Sequence, residues 1–216
     1  MKTDNCLVGG ETSCSSVKIS GFFTPGTFQQ YIVSPARYVT PIPAGVDLAG
    51  AAPLMCGGIA VYTGLKRANT KSGDWVLISG AGGGLGHLAI QYAKAMGARV
   101  LAVDAGSKET LCNELGAEAF IDFAKLSTDE ELTAEVLKIS EGGVQTVLMC
   151  SSNLRAYTQA LGFLGFRGTL CCLGVPEGEN PFGPKAMRPI LNNELTIIGE
   201  SHLSCSQMCI DPFLQA

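Results

Sequence analysis

Charged residues are scarce in this sequence, and positive charge is not in excess. Only 16% of the residues are charged, with 15 basic against 19 acidic side chains and a formal net charge of −4. Without a dominant basic surface for phosphates, we expect no nucleic-acid partner. The first residues, Met1 to Asn5, lack the apolar stretch that a signal peptide requires. Internal repeats and low-complexity tracts are absent as well.

The cysteines lack the even count of a secreted disulfide framework. There are nine in a chain of 216 residues, and several lie inside apolar runs. We therefore expect a reduced, cytoplasmic protein in which some thiols lie in the core and others are available to a metal.

Apolar residues and glycine are plentiful. Hydrophobic residues make up 46% of the chain, the mean hydropathy is +0.25 and there are 27 glycines, which indicates a sizeable core rather than disorder. The uncharged segment Leu48 to Leu65 approaches the roughly 20 residues of a membrane span. Its proline, glycines and alanines favour a helix of a soluble α/β protein over residues 48–68 instead. We expect no membrane partner.

The first forty residues are predicted to be rich in β-structure. β-branched and aromatic residues are concentrated in two stretches, Thr27 to Val33 and Arg37 to Thr40. Glycine and proline residues bound both stretches, as expected at the ends of strands.

From Asp74 onward, short apolar segments alternate with amphipathic helices. Such alternation is typical of a parallel sheet covered by helices on both faces. We therefore predict an α/β fold with a doubly wound, nucleotide-binding parallel sheet of six strands. The predicted strands are Trp75 to Ser79, Val100 to Val103, Ala119 to Ile121, Val144 to Cys150, Gly168 to Leu173 and Leu195 to Ile198.

Two helix starts carry capping signals. Ser127 is followed three residues later by Glu130, which is the spacing of a capping box. Asn153 precedes the apolar face of the next helix and is predicted to cap it.

A glycine-rich turn joins the first strand to its helix. Its spacing is G-x-x-G-x-x-G, formed by Gly80, Gly83 and Gly86, and this allows a tight turn, close approach to a pyrophosphate and helix–strand packing. The free N–H groups of the helix N-terminus favour an anion there. The alternative is an ordinary glycine-rich turn.

An acidic residue follows at the end of the second strand. Asp104 lies eighteen residues beyond Gly86, where a carboxylate binds ribose hydroxyls and repels a 2′-phosphate, so the pattern favours NAD over NADP. Lys108 is expected to contact the same ribose. The alternative is a solvated aspartate and lysine without a ligand.

The segments after the fourth and fifth strands are expected near the nicotinamide, because ligands of open α/β sheets bind beyond the carboxyl ends of the strands. These segments are Cys150 to Ser152 and Leu173 to Pro176, and ordinary loop chemistry is the alternative. The residues predicted to bind the cofactor are Gly80, Ala81, Gly82, Gly83, Gly84, Leu85, Gly86, Asp104, Lys108, Leu173, Gly174 and Val175.

Several stretches resemble the medium-chain, zinc-dependent alcohol dehydrogenases of yeasts and filamentous fungi. They are Gly21 to Val33, Ala51 to Tyr62, Asp74 to Gly97 and Gly116 to Phe123. The resemblance implies oxidation of primary alcohols or reduction of aldehydes with NAD(H), and a homo-oligomer that is a tetramer in this branch. It also implies three regions: a remnant of a GroES-like catalytic domain over 1–50, an NAD-binding Rossmann domain over 51–200 and an atypical tail over 201–216.

The zinc ligands that the resemblance implies are incomplete. Of the three catalytic-zinc ligands only Cys56 has a counterpart, and one cysteine cannot hold a zinc that requires three protein ligands. Cys6 and Cys14 match two of the four structural-zinc cysteines, whereas Thr3 stands at the place of another. Neither histidine of the chain matches a ligand position. For Cys56 a simple buried thiol is favoured over a remaining zinc ligand, and both ends of the chain are expected to be truncated or altered.

Three functions therefore stay open. The first is an NAD-dependent alcohol dehydrogenase in which zinc polarises the alcohol oxygen. The second is a zinc-free quinone or enoyl reductase, which usually takes NADPH, so Asp104 speaks against it. The third is a non-catalytic fragment that binds NAD or a full-length relative.

Overall fold

The computed structural model of the chain describes residues 13–36, 39–178, 182–183 and 186–200. The chain divides into two compact units, one of Met1–Ile59 with Ser201–Ala216 and one of Ala60–Glu200. The second unit contains the sheet and its surrounding helices.

The sheet of the second unit has six strands, and all neighbouring strands are parallel. Their order is β3-β2-β1-β4-β5-β6, the order of a doubly wound dinucleotide-binding sheet. The predicted α/β fold class is therefore confirmed. The strands are β1 Trp75–Ser79, β2 Arg99–Asp104, β3 Ala119–Asp122, β4 Val144–Met149, β5 Leu164–Cys172 and β6 Thr196–Gly199.

Helices precede the sheet and connect its strands. Two short 3-10 turns, Gly106–Lys108 and Phe123–Lys125, follow β2 and β3. The α-helices are α1 Leu48–Pro53, α2 Ile59–Arg67, α3 Gly86–Ala95, α4 Glu109–Leu115, α5 Asp129–Ile139, α6 Leu154–Phe163 and α7 Met187–Asn192.

The core lies on both faces of the sheet. On one face, Leu77 of β1 packs with residues of α5 and α6. On the other face, Val76 and Ile78 pack with residues of α2 and α3. Because successive side chains of a strand point to opposite faces, burial of both faces requires a continuous apolar run, and this explains the WVLIS sequence of β1.

The helix predicted over 48–68 contains a π-helical turn, Leu54–Gly58, between α1 and α2. Pro53 is the last residue of α1; its ring removes one backbone N–H and crowds the preceding turn, so the helix widens there. By length and composition the run Leu48–Arg67 suffices to cross a membrane, but half of its apolar window is buried inside the protein. Core helices of soluble proteins share these properties, so the run is weak evidence for a membrane span.

The prediction of strands near the N-terminus is wrong for 27–33, where the backbone forms bends and irregular structure. The predicted segment 37–40 lies partly outside the described residues, and its described part, Val39 and Thr40, is not in a strand. β-propensity alone does not form a strand, because the backbone needs a hydrogen-bonded neighbour. Among residues 13–36 and 39–47, the described β-pairing is one isolated bridge between Ser20 and Thr24.

The predicted capping box lies one residue too early. Thr128, not Ser127, is the N-cap of α5, and its Oγ1 accepts a hydrogen bond of 3.1 Å from the Glu131 N–H. The Glu131 carboxylate in turn accepts from the Ser127 N–H at 2.7 Å. Both Ser127 and Thr128 have a glutamate three residues later, so the pattern itself could not separate them. The Asn153 cap is confirmed, since its Oδ1 accepts from the Arg155 N–H at 2.9 Å.

Strand β5 begins four residues earlier than predicted, at Leu164 rather than Gly168. Its pairing with β4 is irregular between Val144 and Thr146. Arg167 adopts a left-handed backbone with φ of 59°, which interrupts regular pairing without ending the strand.

Candidate functional site at the carboxyl edge of the sheet

Two glycines of the turn after β1 are required by the fold itself. Gly80 has φ of 75°, a conformation that glycine adopts without strain. At Gly86, the first residue of α3, an added Cβ would lie 2.1 Å from the Gly80 carbonyl oxygen. The helix therefore packs directly on the turn, as predicted for the first and third glycines of the motif.

The middle of the turn is exposed. Gly83 and Gly84 are accessible to solvent, and a Cβ at Gly84 would meet no described atom within 4 Å. Within the described residues, no backbone oxygen accepts from the N–H groups of Gly84 and Leu85, and no side chain caps α3. These donors lie at the N-terminus of α3, the positive end of its helix dipole, and this arrangement favours an anion.

Asp104 is joined to the glycine turn by hydrogen bonds. Its Oδ2 accepts from the Gly82 N–H at 2.8 Å, and its Oδ1 accepts from the Ala105 N–H at 2.7 Å. The carboxylate is half-buried and held in one orientation. Because a carboxylate has about four acceptor sites, two amide donors leave room for two hydroxyl donors.

Lys108 lies against the same turn. A Cβ at Gly82 would come within 2.6 Å of the Lys108 Cβ and Cγ, so the lysine stem passes directly over that glycine. The structure therefore brings Gly82, Asp104 and Lys108 together, as the sequence predicted for a ribose site.

The segments after β4 and β5 pack on the turn from its other side. A Cβ at Gly80 would lie 3.2 Å from the Ser151 Cβ, and one at Gly174 would lie 2.3 Å from the Ser151 carbonyl oxygen. The N–H groups of Leu173 and Gly174 donate to the Met149 oxygen at 3.2 and 2.9 Å. Three loops thus meet in direct backbone contact at this edge of the sheet.

A cavity of about 320 Å³ opens between these loops and the start of α6. That volume is at the lower end of the range of small-molecule sites. Both Gly80 and Asp104 line it, so the cavity joins the glycine turn to the predicted ribose contact. Its other lining residues include Phe123, Leu126, Thr128, Asn153, Arg155 and Gln159.

Arg155 and Gln159 line the cavity with polar groups that were not predicted from the sequence. The Arg155 guanidinium donates from Nε to the Asp129 carboxylate at 2.7 Å, and Gln159 donates to the same carboxylate oxygen. The Arg155 guanidinium holds the pKa of Asp129 below its usual range. The sequence contained part of this information, because the Asn153 cap fixes the start of α6 and thereby places Arg155 and Gln159 on successive turns of that helix.

Two thiols occupy the core as expected. Cys112 and Cys171 are buried, and burial raises the pKa of Cys171 to about 12. Such a thiol is a poor nucleophile and a poor metal ligand, since both roles require the thiolate.

The predicted metal residues do not form a site among the described residues. No group of three or more histidine, cysteine, aspartate or glutamate side chains is placed to hold a metal in the described ranges. Cys56 is exposed in the π-helical turn, so the favoured prediction of a buried thiol is wrong. Cys14 is half-buried, and Cys6 lies outside the described residues.

A family model described as zinc-binding dehydrogenase matches residues 84–214 of the chain. The match covers more than half of the 216 residues and begins inside the glycine turn. The chain belongs to the zinc-binding dehydrogenase family.

Two curated proteins are similar to the chain over most of its length. Alcohol dehydrogenase 2 of Emericella nidulans is 49% identical over 180 residues, which are 81% of this chain and 49% of that protein. The alcohol dehydrogenase of Schizosaccharomyces pombe is 42% identical over 174 residues, 80% of this chain and 49% of that protein. The chain thus spans about half the length of the curated relatives that it matches.

Solved structures show the same fold. A structure of an NAD-dependent alcohol dehydrogenase has a TM-score of 0.83 at 25% identity, covering 99% of this chain and 61% of its own. Galactitol-1-phosphate dehydrogenase from Escherichia coli has a TM-score of 0.82 at 26% identity, covering 94% of this chain and 58% of its own.

The family implies two groups, a dinucleotide and zinc, and the described residues fit only one. The turn around Gly80, Gly84 and Gly86, with its free amides, fits a dinucleotide because added side chains would fill the space or collide. For zinc the described residues do not fit, since they bring no three ligands together.

Proposed function

We propose that this chain forms the NAD-binding part of an alcohol dehydrogenase, which transfers hydride between a primary alcohol or aldehyde and NAD(H). The 49% identity to a relative named alcohol dehydrogenase supports the reaction class. The proposal includes a cytoplasmic location and a homo-oligomer, as expected from the cysteine content and the family resemblance.

The observation that carries the cofactor assignment is the position of Asp104. Its carboxylate is fixed by the Gly82 amide and retains acceptor sites toward the cavity edge. A ribose diol can donate two hydrogen bonds to such a carboxylate, whereas the negative charge of the carboxylate would repel a 2′-phosphate bound beside it. The preference for NAD over NADP follows.

The remaining residues would bind and orient the dinucleotide. The amides of Gly84 and Leu85 would bind the pyrophosphate, Lys108 would contact the ribose beside Asp104, and the cavity would take the adenosine half. Leu173, Gly174 and Val175 would contact the nicotinamide half, where NAD⁺ supplies a hydride acceptor when bound.

We further propose that the chain on its own binds NAD(H) without oxidising alcohols. The described residues assemble no zinc site, and of the three catalytic-zinc ligands that the family resemblance implies, Cys56 is the one with a counterpart in this sequence. Substrate positioning near a metal would then depend on residues that the described ranges do not bring together.

The cofactor assignment is tested by titrating the purified chain with NADH and NADPH, comparing wild type with Asp104→Ala. Loss of a hydrogen bond to a charged group costs about 1.5–3 kcal/mol, so NADH affinity should fall by roughly ten- to a hundredfold. The preference for NADH over NADPH should fall as well, because the repulsion disappears.

Asp122→Ala is the matched control. Asp122 occupies the same register position on the neighbouring strand β3, but its Oδ1 accepts from the Ala124 N–H and it makes no described bond to the glycine turn. This variant should keep the wild-type preference. A wild-type chain that prefers NADPH would overturn the proposal and favour the quinone or enoyl reductase.

The binding-only proposal is tested on the same samples by metal analysis and by NADH formation from ethanol. We expect NADH binding without stoichiometric zinc and without turnover. Stoichiometric zinc together with alcohol oxidation would show that this chain is a complete enzyme.

A further inference from the structure

Tyr157 is a buried tyrosine of α6 whose hydroxyl makes a hydrogen bond that was not predicted from the sequence. Only 2% of its surface is exposed, and its ring packs edge-on against Phe182 with centroids 6.4 Å apart. A buried phenol needs a hydrogen-bond partner, since an unsatisfied one costs free energy. The partner here is a backbone atom of the segment after β5.

The Tyr157 hydroxyl donates a hydrogen bond to the Gly174 carbonyl oxygen. The N–H of the same residue donates to the Met149 oxygen at 2.9 Å. Gly174 is therefore held on both sides, by the end of β4 and by α6. The α-carbon of Gly174 lies so close to Ser151 that a Cβ would come within 2.3 Å of the Ser151 oxygen.

The Tyr157 hydroxyl is suited to a lasting hydrogen bond as a donor. Burial, with a further contribution from the Cys172 thiol beside it, raises the pKa of Tyr157 well above its usual range. The hydroxyl therefore keeps its proton at neutral pH and can donate it to the Gly174 carbonyl oxygen.

We propose that Tyr157 is a positioning residue for the cofactor: its hydroxyl fixes the backbone of Gly174, and with it the segment Leu173 to Val175, for the nicotinamide half of NAD(H). The proposal rests on the proposed function, which places that segment at the nicotinamide. It adds a residue from the core face of α6, behind the loops that would touch the ligand.

Tyr157→Phe removes the hydroxyl and keeps the ring in its packing. Binding of NADH and of AMP is then compared, because AMP carries the adenosine half without the nicotinamide. We expect NADH affinity to fall about five- to tenfold, as for the loss of one hydrogen bond, and AMP affinity to stay within about twofold of wild type. Trp75, the chain's single tryptophan, allows NADH binding to be followed by energy transfer.

Tyr92→Phe is the matched control. Tyr92 lies in α3, is half-buried and stacks at an angle against Tyr62, and its hydroxyl makes no described hydrogen bond to the segment after β5. This variant should bind NADH and AMP as wild type does.

Hydrogen exchange of the ligand-free chain adds a readout that does not depend on affinity. In Tyr157→Phe the amides of Leu173 to Val175 should exchange faster, while those of β1 should not change. Equal weakening of NADH and AMP would show a merely structural role and overturn the proposal, as would unchanged NADH affinity. A wild-type chain that binds AMP but not NADH overturns it too, and one that binds neither overturns the proposed function itself.

Discussion

Replacing Gly86 by alanine should destabilise the protein although alanine is the better helix former. Gly86 begins α3, and an added Cβ would lie 2.1 Å from the Gly80 oxygen and 2.6 Å from the Ala81 Cα. The obstructing atoms are backbone, so no side-chain rotation can relieve the contact. The helix or the turn must move by about 1 Å to restore a normal carbon–oxygen separation.

The magnitude follows from two opposing terms. Overpacking with backbone displacement costs about 1–3 kcal/mol and occasionally more. Alanine gains at most about 1 kcal/mol over glycine in a helix, and less at the first position. We therefore expect the free energy of unfolding to fall by about 2 kcal/mol, equivalent to roughly 4–8 °C in Tm for a protein of this size.

Urea unfolding followed by the fluorescence of Trp75 measures this change, with Gly84→Ala as control. The Cβ of that control would meet no described atom within 4 Å, so its free energy of unfolding should stay within about 0.5 kcal/mol of wild type. If Gly86→Ala were as stable as Gly84→Ala, the close packing of α3 on the turn would be refuted.

Two further predictions concern the stability that residues at the start of α5 contribute. Thr128→Ala should lower the free energy of unfolding by about 1 kcal/mol through loss of the N-cap, whereas Ser127→Ala should not, and equal effects in thermal unfolding would contradict the observed cap. Arg155 lowers the pKa of Asp129, so the stability that this carboxylate contributes is present above its unfolded pKa and is lost as pH falls through the folded pKa. The stability difference between wild type and Asp129→Asn should therefore close below about pH 4, and a difference that is constant with pH in urea titrations would refute the ion pair's contribution.

The sheet and the glycine turn could be predicted because their determinants are local. A strand buried on both faces must be apolar throughout, as β1 is, and the turn that follows needs glycines at fixed positions. Asp104 could be placed near the glycine turn because β2 is the parallel neighbour of β1. The residue that ends β2 therefore lies beside the turn that follows β1. The structure confirms the fold class and brings Gly82, Asp104 and Lys108 together.

The features that were predicted wrongly or not at all depend on contacts between distant parts of the chain. The segment 27–33 has strand propensity, yet a strand also needs a neighbour, and propensity does not supply one. The hydrogen bond from Tyr157 to Gly174 joins residues seventeen positions apart through the packing of α6 on the sheet. A tyrosine on an apolar helical face looks the same in sequence whether its hydroxyl holds a loop or reaches solvent.

The glycines of the turn show where the fold stops explaining the sequence. Gly80 is explained by its positive φ and Gly86 by the backbone that it touches. Gly84 has neither reason, since its φ is not left-handed and the space around it holds no described atom within 4 Å. An exposed glycine costs conformational entropy on folding, so the protein alone would be better served by another residue there. Under the proposed function a bound pyrophosphate would supply the missing reason, because a position without a side chain would let its oxygens reach the adjacent amides.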